Sequence, residues 1–106
     1  MYAYRTLEAW KRAHQVALHV MRATDVPAHP RARSIFDQIR RAVVSVEANI
    51  VEGYALGTPL QCRRHLRIAM GSAAEAECLT RLAGELGYLG IAIAELVKTR
   101  HADTPA

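Results

Sequence analysis

The sequence predicts an all-α protein: an antiparallel, up-down-up-down four-helix bundle formed by one domain over residues 1–106. Composition supports this, because 51% of the residues are apolar and only 6% are aromatic, a balance that suits packed helices. Apolar residues also recur at three- and four-residue steps in four long segments. Short connections between long helices favour antiparallel neighbours. We expect the helices at about residues 7–24, 33–54, 59–86 and 89–100.

The first helix is expected to start after Thr6, an acceptable N-cap residue. It should end at the segment 25–30, because two prolines in four residues forbid a continuous helix. Its predicted apolar seam consists of Leu7, Trp10, His14, Ala17, Met21 and Thr24, widened by Ala13, Val16 and Val20.

The second helix carries two stripes at helical spacing. One is apolar and consists of Ile39, Val43, Val46 and Ile50. The neighbouring stripe is small or polar and consists of Gln38, Ala42, Ser45, Asn49 and Glu52. A surface helix normally has a single buried side, so two stripes predict a helix that is covered on more than one side. Either Gly53 or Gly57 is expected to supply a left-handed cap at its end.

The third helix is expected to start with Thr58 as N-cap and Pro59 at the first helical position. It also has two faces, which predicts burial from more than one side. One face consists of Leu66, Ala69, Ala73, Ala76, Thr80 and Ala83, and the next of Ile68, Ser72, Glu75, Leu79, Leu82 and Leu86. Gly71 costs about 1 kcal/mol relative to Ala inside a helix, which suggests a packing reason for it.

The fourth helix is short, and its expected buried face consists of Leu89, Ala92, Ile93, Leu96 and Val97.

The charge distribution favours a phosphate-bearing partner. The net charge is +4, but the chain through Arg67 has eleven basic and five acidic residues, whereas the remainder has three and five. A basic half fits nucleic acid, and an ordinary solvated surface fits equally well. The candidate nucleic-acid contacts are Arg40, Arg41, Arg63, Arg64 and Arg67, with His65 beside them. The alternative is an outer face on which these arginines pair with Asp37 or Glu47.

Polar residues on the second and third helices form a second candidate site. They are Gln38, Ser45, Asn49, Glu52, Ser72 and Glu75. We expect a polar network between helices or between subunits, in which an Arg41–Glu75 ion pair could set the register. A small-molecule or catalytic pocket is the alternative, and the structural role is favoured because buried polar groups are normally hydrogen-bonded.

Several other kinds of site are not expected. Cys62 and Cys78 would be about 24 Å apart on one helix, beyond the ~7 Å limit for a disulfide, so both should be reduced cytoplasmic thiols. The sequence has no Glu-x-x-His pattern of the di-iron bundles, and we expect neither a metal nor a cofactor. It also has no signal-peptide core and no apolar run near the ~20 residues that span a membrane, so no membrane partner is expected.

The order and spacing of several motifs resemble a known family. The central motif consists of Gln38-Ile39-Arg40-Arg41-Ala42, then Ser45, then Asn49-Ile50-Val51-Glu52-Gly53. Flanking matches are Leu7, Trp10 and Ala13, then Thr24 and Pro27, then residues 66–72 with Glu75, and finally residues 86–89. Over roughly residues 5 to 90 the chain resembles the 23S rRNA intervening-sequence proteins, four-helix bundles once labelled S23 ribosomal proteins.

The resemblance implies a bacterial, cytoplasmic, non-enzymatic homo-oligomer, commonly a pentamer, whose last helix is usually longer than the one expected here. We therefore expect binding of structured RNA or DNA, with the basic surfaces of several subunits adding together. One alternative is a protein–protein assembly module, such as the accessory protein of a diversity-generating retroelement, which binds a reverse transcriptase. A weaker alternative is a HEPN-type ribonuclease, because Arg12 and His19 share a face of the first helix.

Overall fold

The computed structural model describes residues 3–25 and 30–102, and it is helical with no strand in those ranges. Its helices are α1 (Glu8–Thr24), α2 (Arg33–Ala55), α3 (Pro59–Glu85) and α4 (Ile91–Ala102). Short 3-10 turns, Ala3–Thr6 and Pro30–Ala32, precede α1 and α2. The all-α prediction is confirmed, and the helix ends lie within two residues of those expected. Of the segment expected to end the first helix, residues 26–29 lie outside the described residues.

The helices pack in chain order around an elongated bundle that measures 44 × 21 × 20 Å. α2 packs against α1 and α3, and α4 packs against α3 and α1. Each helix therefore has two neighbours, and α4 completes the circuit. Among the described residues, no helix is long and apolar enough to cross a lipid bilayer.

The core consists of two clusters, which divide the bundle along its length. The end cluster contains Ala13, Val46, Ile50, Ala69 and Ala73, with Leu7, Ala9, Trp10 and Leu66 packed against it. The main cluster receives the second half of α1, the first half of α2, the second half of α3, and Leu89 and Val97. α1, α2 and α3 therefore run in alternating directions. Among the described residues, the end cluster has no member from α4, so this end is a three-helix bundle.

Turn chemistry explains the connection between α2 and α3. Thr58 caps α3, because its side chain accepts a hydrogen bond from the backbone N–H of Gln61 at 3.2 Å, and Pro59 occupies the first turn. Gly57 has a φ of +80°, a conformation that L side chains rarely adopt. The expected left-handed residue is thus Gly57, and Gly53 lies inside α2. This turn was predictable because each residue type matches a local backbone requirement.

One prediction about α1 is wrong, and another is correct only in part. Thr6 is not the N-cap: it belongs to the 3-10 turn, and Leu7 is the cap residue without a side-chain hydrogen bond. The buried residues all belong to the predicted seam or to the residues that widen it, but the large members of the seam are not fully buried. The buried residues are Ala13, Val16, Ala17, Val20 and Thr24, whereas Trp10, His14 and Met21 are half-buried. Trp10 and His14 are only half-buried because they lie against α2, whereas the smaller residues of α1 face the centre of the bundle.

α3 buries only one of its two faces within this chain. Ala69, Ala73, Ala76, Thr80 and Ala83 are buried as expected. On the second face, Ile68, Leu82 and Leu86 remain 50%, 43% and 51% exposed, so this chain alone does not supply the predicted burial from a second side. Among the described residues, Gly71 has no packing reason either, because a methyl group there would meet no atom of a neighbouring element within 4 Å.

Candidate nucleic-acid interface

Three of the candidate arginines lie together on the first half of α3. Arg63, Arg64 and Arg67 are all exposed, and in the described part of the chain no carboxylate pairs with them. Arg63 and Arg67 are separated by about one helical turn, a rise of about 6 Å, so they form a row on one side of α3. Guanidinium groups that are not neutralised by the protein are available to phosphates. We call these three residues the arginine row.

Arg40 and Arg41 do not join the arginine row. Ser45 of α2 lies opposite Ser72 of α3, and this antiparallel register places Arg41 opposite the region of Glu75. Arg41 is therefore about 15 Å farther along the bundle than Arg64, at 1.5 Å per residue. Arg40 is half-buried on α2. The structure thus divides the five candidate arginines into two separate groups.

His65 does not join the row either, because its side chain turns toward α2. Its Nδ1 lies 2.9 Å from Asn49 Oδ1 and 3.4 Å from Glu52 Oε2. Both of these atoms are acceptors, so Nδ1 carries the hydrogen and donates it. The His65 side chain therefore connects the basic half of α3 to α2.

The network continues from Asn49 along the contact between α2 and α3. Asn49 Nδ2 donates to the backbone oxygen of Ser45 at 2.8 Å and to Ser45 Oγ at 3.1 Å. Ser45 Oγ in turn shares a hydrogen bond of 2.8 Å with Ser72 Oγ. We call Ser45, Asn49, Glu52, His65 and Ser72 the polar clamp. It joins the two helices at two levels.

Close backbone approach accompanies the polar clamp. Gly53 is buried in α2, and a methyl group placed on it would lie 3.0 Å from Cβ of His65 and 3.2 Å from the carbonyl oxygen of Cys62. A side chain at position 53 would therefore push α3 outward. Gly53 is the residue that lets the two backbones come near enough for the His65–Asn49 hydrogen bond.

The remaining members of the predicted network line a groove instead. Gln38, Arg41 and Glu75 surround a groove of about 440 Å³ whose wall includes Ala42 and the two clamp serines. Arg41 and Glu75 are exposed, and no ion pair joins them in the part of the chain that the structure describes. The expected Arg41–Glu75 pair is therefore not formed, because the two side chains stand on opposite walls of an open groove.

A second interhelical contact, centred on Glu47, was not predicted from the sequence. Glu47 Oε2 accepts hydrogen bonds from Trp10 Nε1 at 3.0 Å and from His14 Nδ1 at 2.6 Å. The rings of Trp10 and His14 are stacked with centroids 4.8 Å apart, and Tyr4 meets Trp10 edge-on. The four-residue spacing of Trp10 and His14 was visible in the sequence, but nothing local marked Glu47 as their partner.

This contact has a structural role and corrects one prediction. Glu47 is engaged by α1, so it does not neutralise arginines as the alternative interpretation proposed. A carboxylate that orients a histidine is also typical of catalytic sites. Here, however, the same oxygen holds the Trp10 indole, and among the described residues no nucleophile is hydrogen-bonded to His14. The contact fixes α1 against α2.

A groove between α3 and α4 does not suit phosphate. It is lined by Glu77, Arg81, Gly84, Glu85, Ala94, Glu95 and Lys98, so carboxylates outnumber the basic groups. Arg81 is already paired with Glu85 at 3.5 Å. Within residues 3–25 and 30–102 no three His, Cys, Asp or Glu side chains are grouped closely enough to hold a metal ion. Cys62 and Cys78 are both free thiols.

Comparison with known families agrees with this architecture. The model of the family described as 23S rRNA-intervening sequence protein matches residues 5–103. The chain belongs to this family. Comparison with curated proteins gives no match. The family match spans all four helices, so the arginine row, the polar clamp and the Glu47 contact all lie on the family's fold.

Proposed function

We propose that this protein is a non-enzymatic, cytoplasmic homo-oligomer that binds structured RNA or DNA through the arginine row. The observation that carries the proposal is the row itself: Arg63, Arg64 and Arg67 are exposed on one half of α3 without a carboxylate partner among the described residues. These three positive charges are therefore available to an external anion. The excess of basic over acidic residues through Arg67 adds a favourable long-range potential.

The uncovered face of α3 supports the homo-oligomeric part of the proposal. Ile68, Leu82 and Leu86 follow one stripe over about 27 Å of helix, and each is at least 43% exposed. Ser72 and Glu75 interrupt the stripe, but several exposed apolar side chains on one helix face favour packing against a partner. A second copy of the chain is always available as that partner, and the family resemblance implies five copies. An oligomer would multiply the number of arginine rows per particle.

Binding of a labelled, structured RNA across a salt series tests the nucleic-acid part. Reversing the charge of Arg63, Arg64 and Arg67 to Glu should weaken binding at low salt. It should also make the plot of log K against log salt shallower by about 0.9 for each phosphate that the variant no longer binds. The matched control reverses Arg22, Arg81 and Lys98, which are exposed and lie outside the row. It changes the net charge equally and should retain most of the slope.

Two outcomes would contradict the proposal. Equal weakening in both triple variants would mean that only the overall charge matters, and absence of binding by the wild type at low salt would remove nucleic acid as the partner. The same samples test the non-enzymatic part, because the RNA should stay intact. Cleavage that disappears in His19→Ala would instead support the ribonuclease alternative.

Native mass spectrometry tests the assembly. We expect the wild type at a multiple of the 11.7 kDa chain mass, with five copies implied by the resemblance. Replacing both Ile68 and Leu82 by Glu should release single chains. Replacing both Leu18 and Val44 by Glu is the matched control, because these residues are 39% and 46% exposed and lie on α1 and α2. A wild type with the mass of one chain would refute the assembly.

A further inference from the structure

We propose that the polar clamp fixes the arginine row in the geometry of a helical nucleic acid, with His65 as the positioning residue. The inference rests on the proposed function and makes it more specific. The preferred partner is a duplex. Contacts inside the protein, which touch no phosphate, make the protein bind a duplex more tightly than a single strand. The physical question is what holds the first half of α3 in place.

The first half of α3 has less support than the second half. The second half packs against α4 as well as α2, and Leu89 and Val97 join the main cluster there. At the end cluster, the described members come only from α1, α2 and α3, and those of α3 are Leu66, Ala69 and Ala73. α3 contributes two alanines and one leucine to each cluster, so the two halves differ in their contact with α4 and not in their own apolar residues. Apolar packing alone therefore orients this part of α3 weakly.

Directional contacts from the polar clamp supply the missing restraint. His65 lies between Arg64 and Arg67, and its Nδ1 is held 2.9 Å from Asn49 Oδ1. Asn49 is itself held by two hydrogen bonds from its amide to Ser45. Hydrogen bonds are directional, so they fix the rotation of α3 about its axis more closely than apolar contacts between small residues do. The direction in which the arginine row points is therefore set by the His65–Asn49 contact.

A fixed row favours a partner whose phosphates are also fixed. A duplex presents its phosphates at regular positions along each strand, whereas a single strand adapts its flexible backbone to the protein. Preorganisation improves affinity by removing the ordering cost from the binding step. A rigid arginine row therefore binds the duplex more tightly than the single strand. A mobile row has the same charge but loses this difference in affinity.

The test compares binding of a hairpin RNA, which is mostly duplex, and of an unstructured single-stranded RNA with the same number of nucleotides and therefore the same charge, at one salt concentration. His65→Leu removes the Nδ1 donor and should weaken duplex binding by up to about tenfold, because the lost preorganisation cannot exceed the contribution of one hydrogen bond. Single-strand binding should change less than twofold. His65→Gln retains a side-chain N–H donor and should restore most of the duplex affinity. Gln15→Leu also replaces a side-chain N–H donor by leucine, at an exposed position of α1, and should leave both affinities unchanged.

Each result decides the inference. Duplex binding by His65→Leu that equals the wild type, or equal weakening for duplex and single strand, would overturn it while leaving the proposed function intact. A wild type that binds neither RNA would refute the proposed function as well. If His65→Leu does not fold, Gly53→Ala provides the same test, because its methyl group displaces α3 at the clamp without removing a hydrogen-bonding group. Helix content from circular dichroism identifies any variant that is unfolded.

Discussion

Gly53→Ala tests how closely α2 and α3 approach each other, and two opposing terms decide its effect. Replacing Gly by Ala inside a helix stabilises it by about 1 kcal/mol. At Gly53, however, the new methyl group would lie 3.0 Å from His65 Cβ and 3.2 Å from the Cys62 carbonyl oxygen, against an ordinary contact of 3.4–4 Å. The nearest atoms are a Cβ and a backbone carbonyl, so neither can rotate away. α3 itself must move by a few tenths of an ångström.

Overpacking of this kind costs about 1–3 kcal/mol, which offsets or exceeds the helix-propensity gain. We therefore expect Gly53→Ala to lower the free energy of unfolding by as much as about 2 kcal/mol. Gly71→Ala is the matched control, because Gly71 is exposed in α3 and its methyl group would meet nothing within 4 Å. In a single chain, Gly71→Ala should raise the free energy of unfolding by about 1 kcal/mol.

Urea unfolding of wild type and both variants, at one protein concentration, measures these values. Coincident transitions by circular dichroism and by Trp10 fluorescence would support the two-state treatment that the comparison requires. The reasoning is refuted if Gly53→Ala stabilises the protein as much as Gly71→Ala does. Destabilisation by Gly71→Ala would have another meaning: a second copy of the chain packs on that part of α3.

Three further substitutions test individual contacts by the same unfolding assay. Glu47→Ala should lower the free energy of unfolding by about 1–3 kcal/mol, because it leaves the half-buried donors of Trp10 and His14 without their acceptor. A smaller change would mean that water replaces the carboxylate. Thr58→Ala removes the side-chain cap of α3 and should cost about 1 kcal/mol; no change would show that the proline and glycine of the turn suffice. Val97→Ala should cost about 2 kcal/mol, because Val97 is fully buried on α4; a negligible cost would mean that α4 is weakly attached.

The turn between α2 and α3 shows why local features could be predicted. Thr58, Pro59 and Gly57 each satisfy a requirement of the backbone within four residues, so sequence patterns identify them directly. The N-cap of α1 was predicted wrongly, because the type of side chain at the cap position did not decide where the helix starts. Thr6 has a suitable side chain, but Tyr4 O accepts a hydrogen bond from Leu7 N at 3.0 Å, and the resulting 3-10 turn moves the start of α1 to Glu8.

The candidate sites were only partly predictable, because they depend on contacts between helices. The stripe on α2 predicted polar contacts on a second side, and Ser45 and Asn49 do bond there. Their partner His65 was instead grouped with the arginines, because its neighbours in sequence are basic. Its side chain turns the other way because Gly53 leaves room for α3 to approach α2.

By itself, the sequence determined the all-α class, the four helices and most of their ends, because these follow from apolar periodicity and turn residues within short segments. It also determined which side of α2 enters the core. Only the tertiary structure decided that the five candidate arginines form two separate groups, and that Glu47 is the carboxylate that binds Trp10 and His14. It also decided that one face of α3 stays uncovered. These depend on the relative rotation of packed helices, which is set by backbone approach at residues such as Gly53 and by hydrogen bonds between segments far apart in the chain.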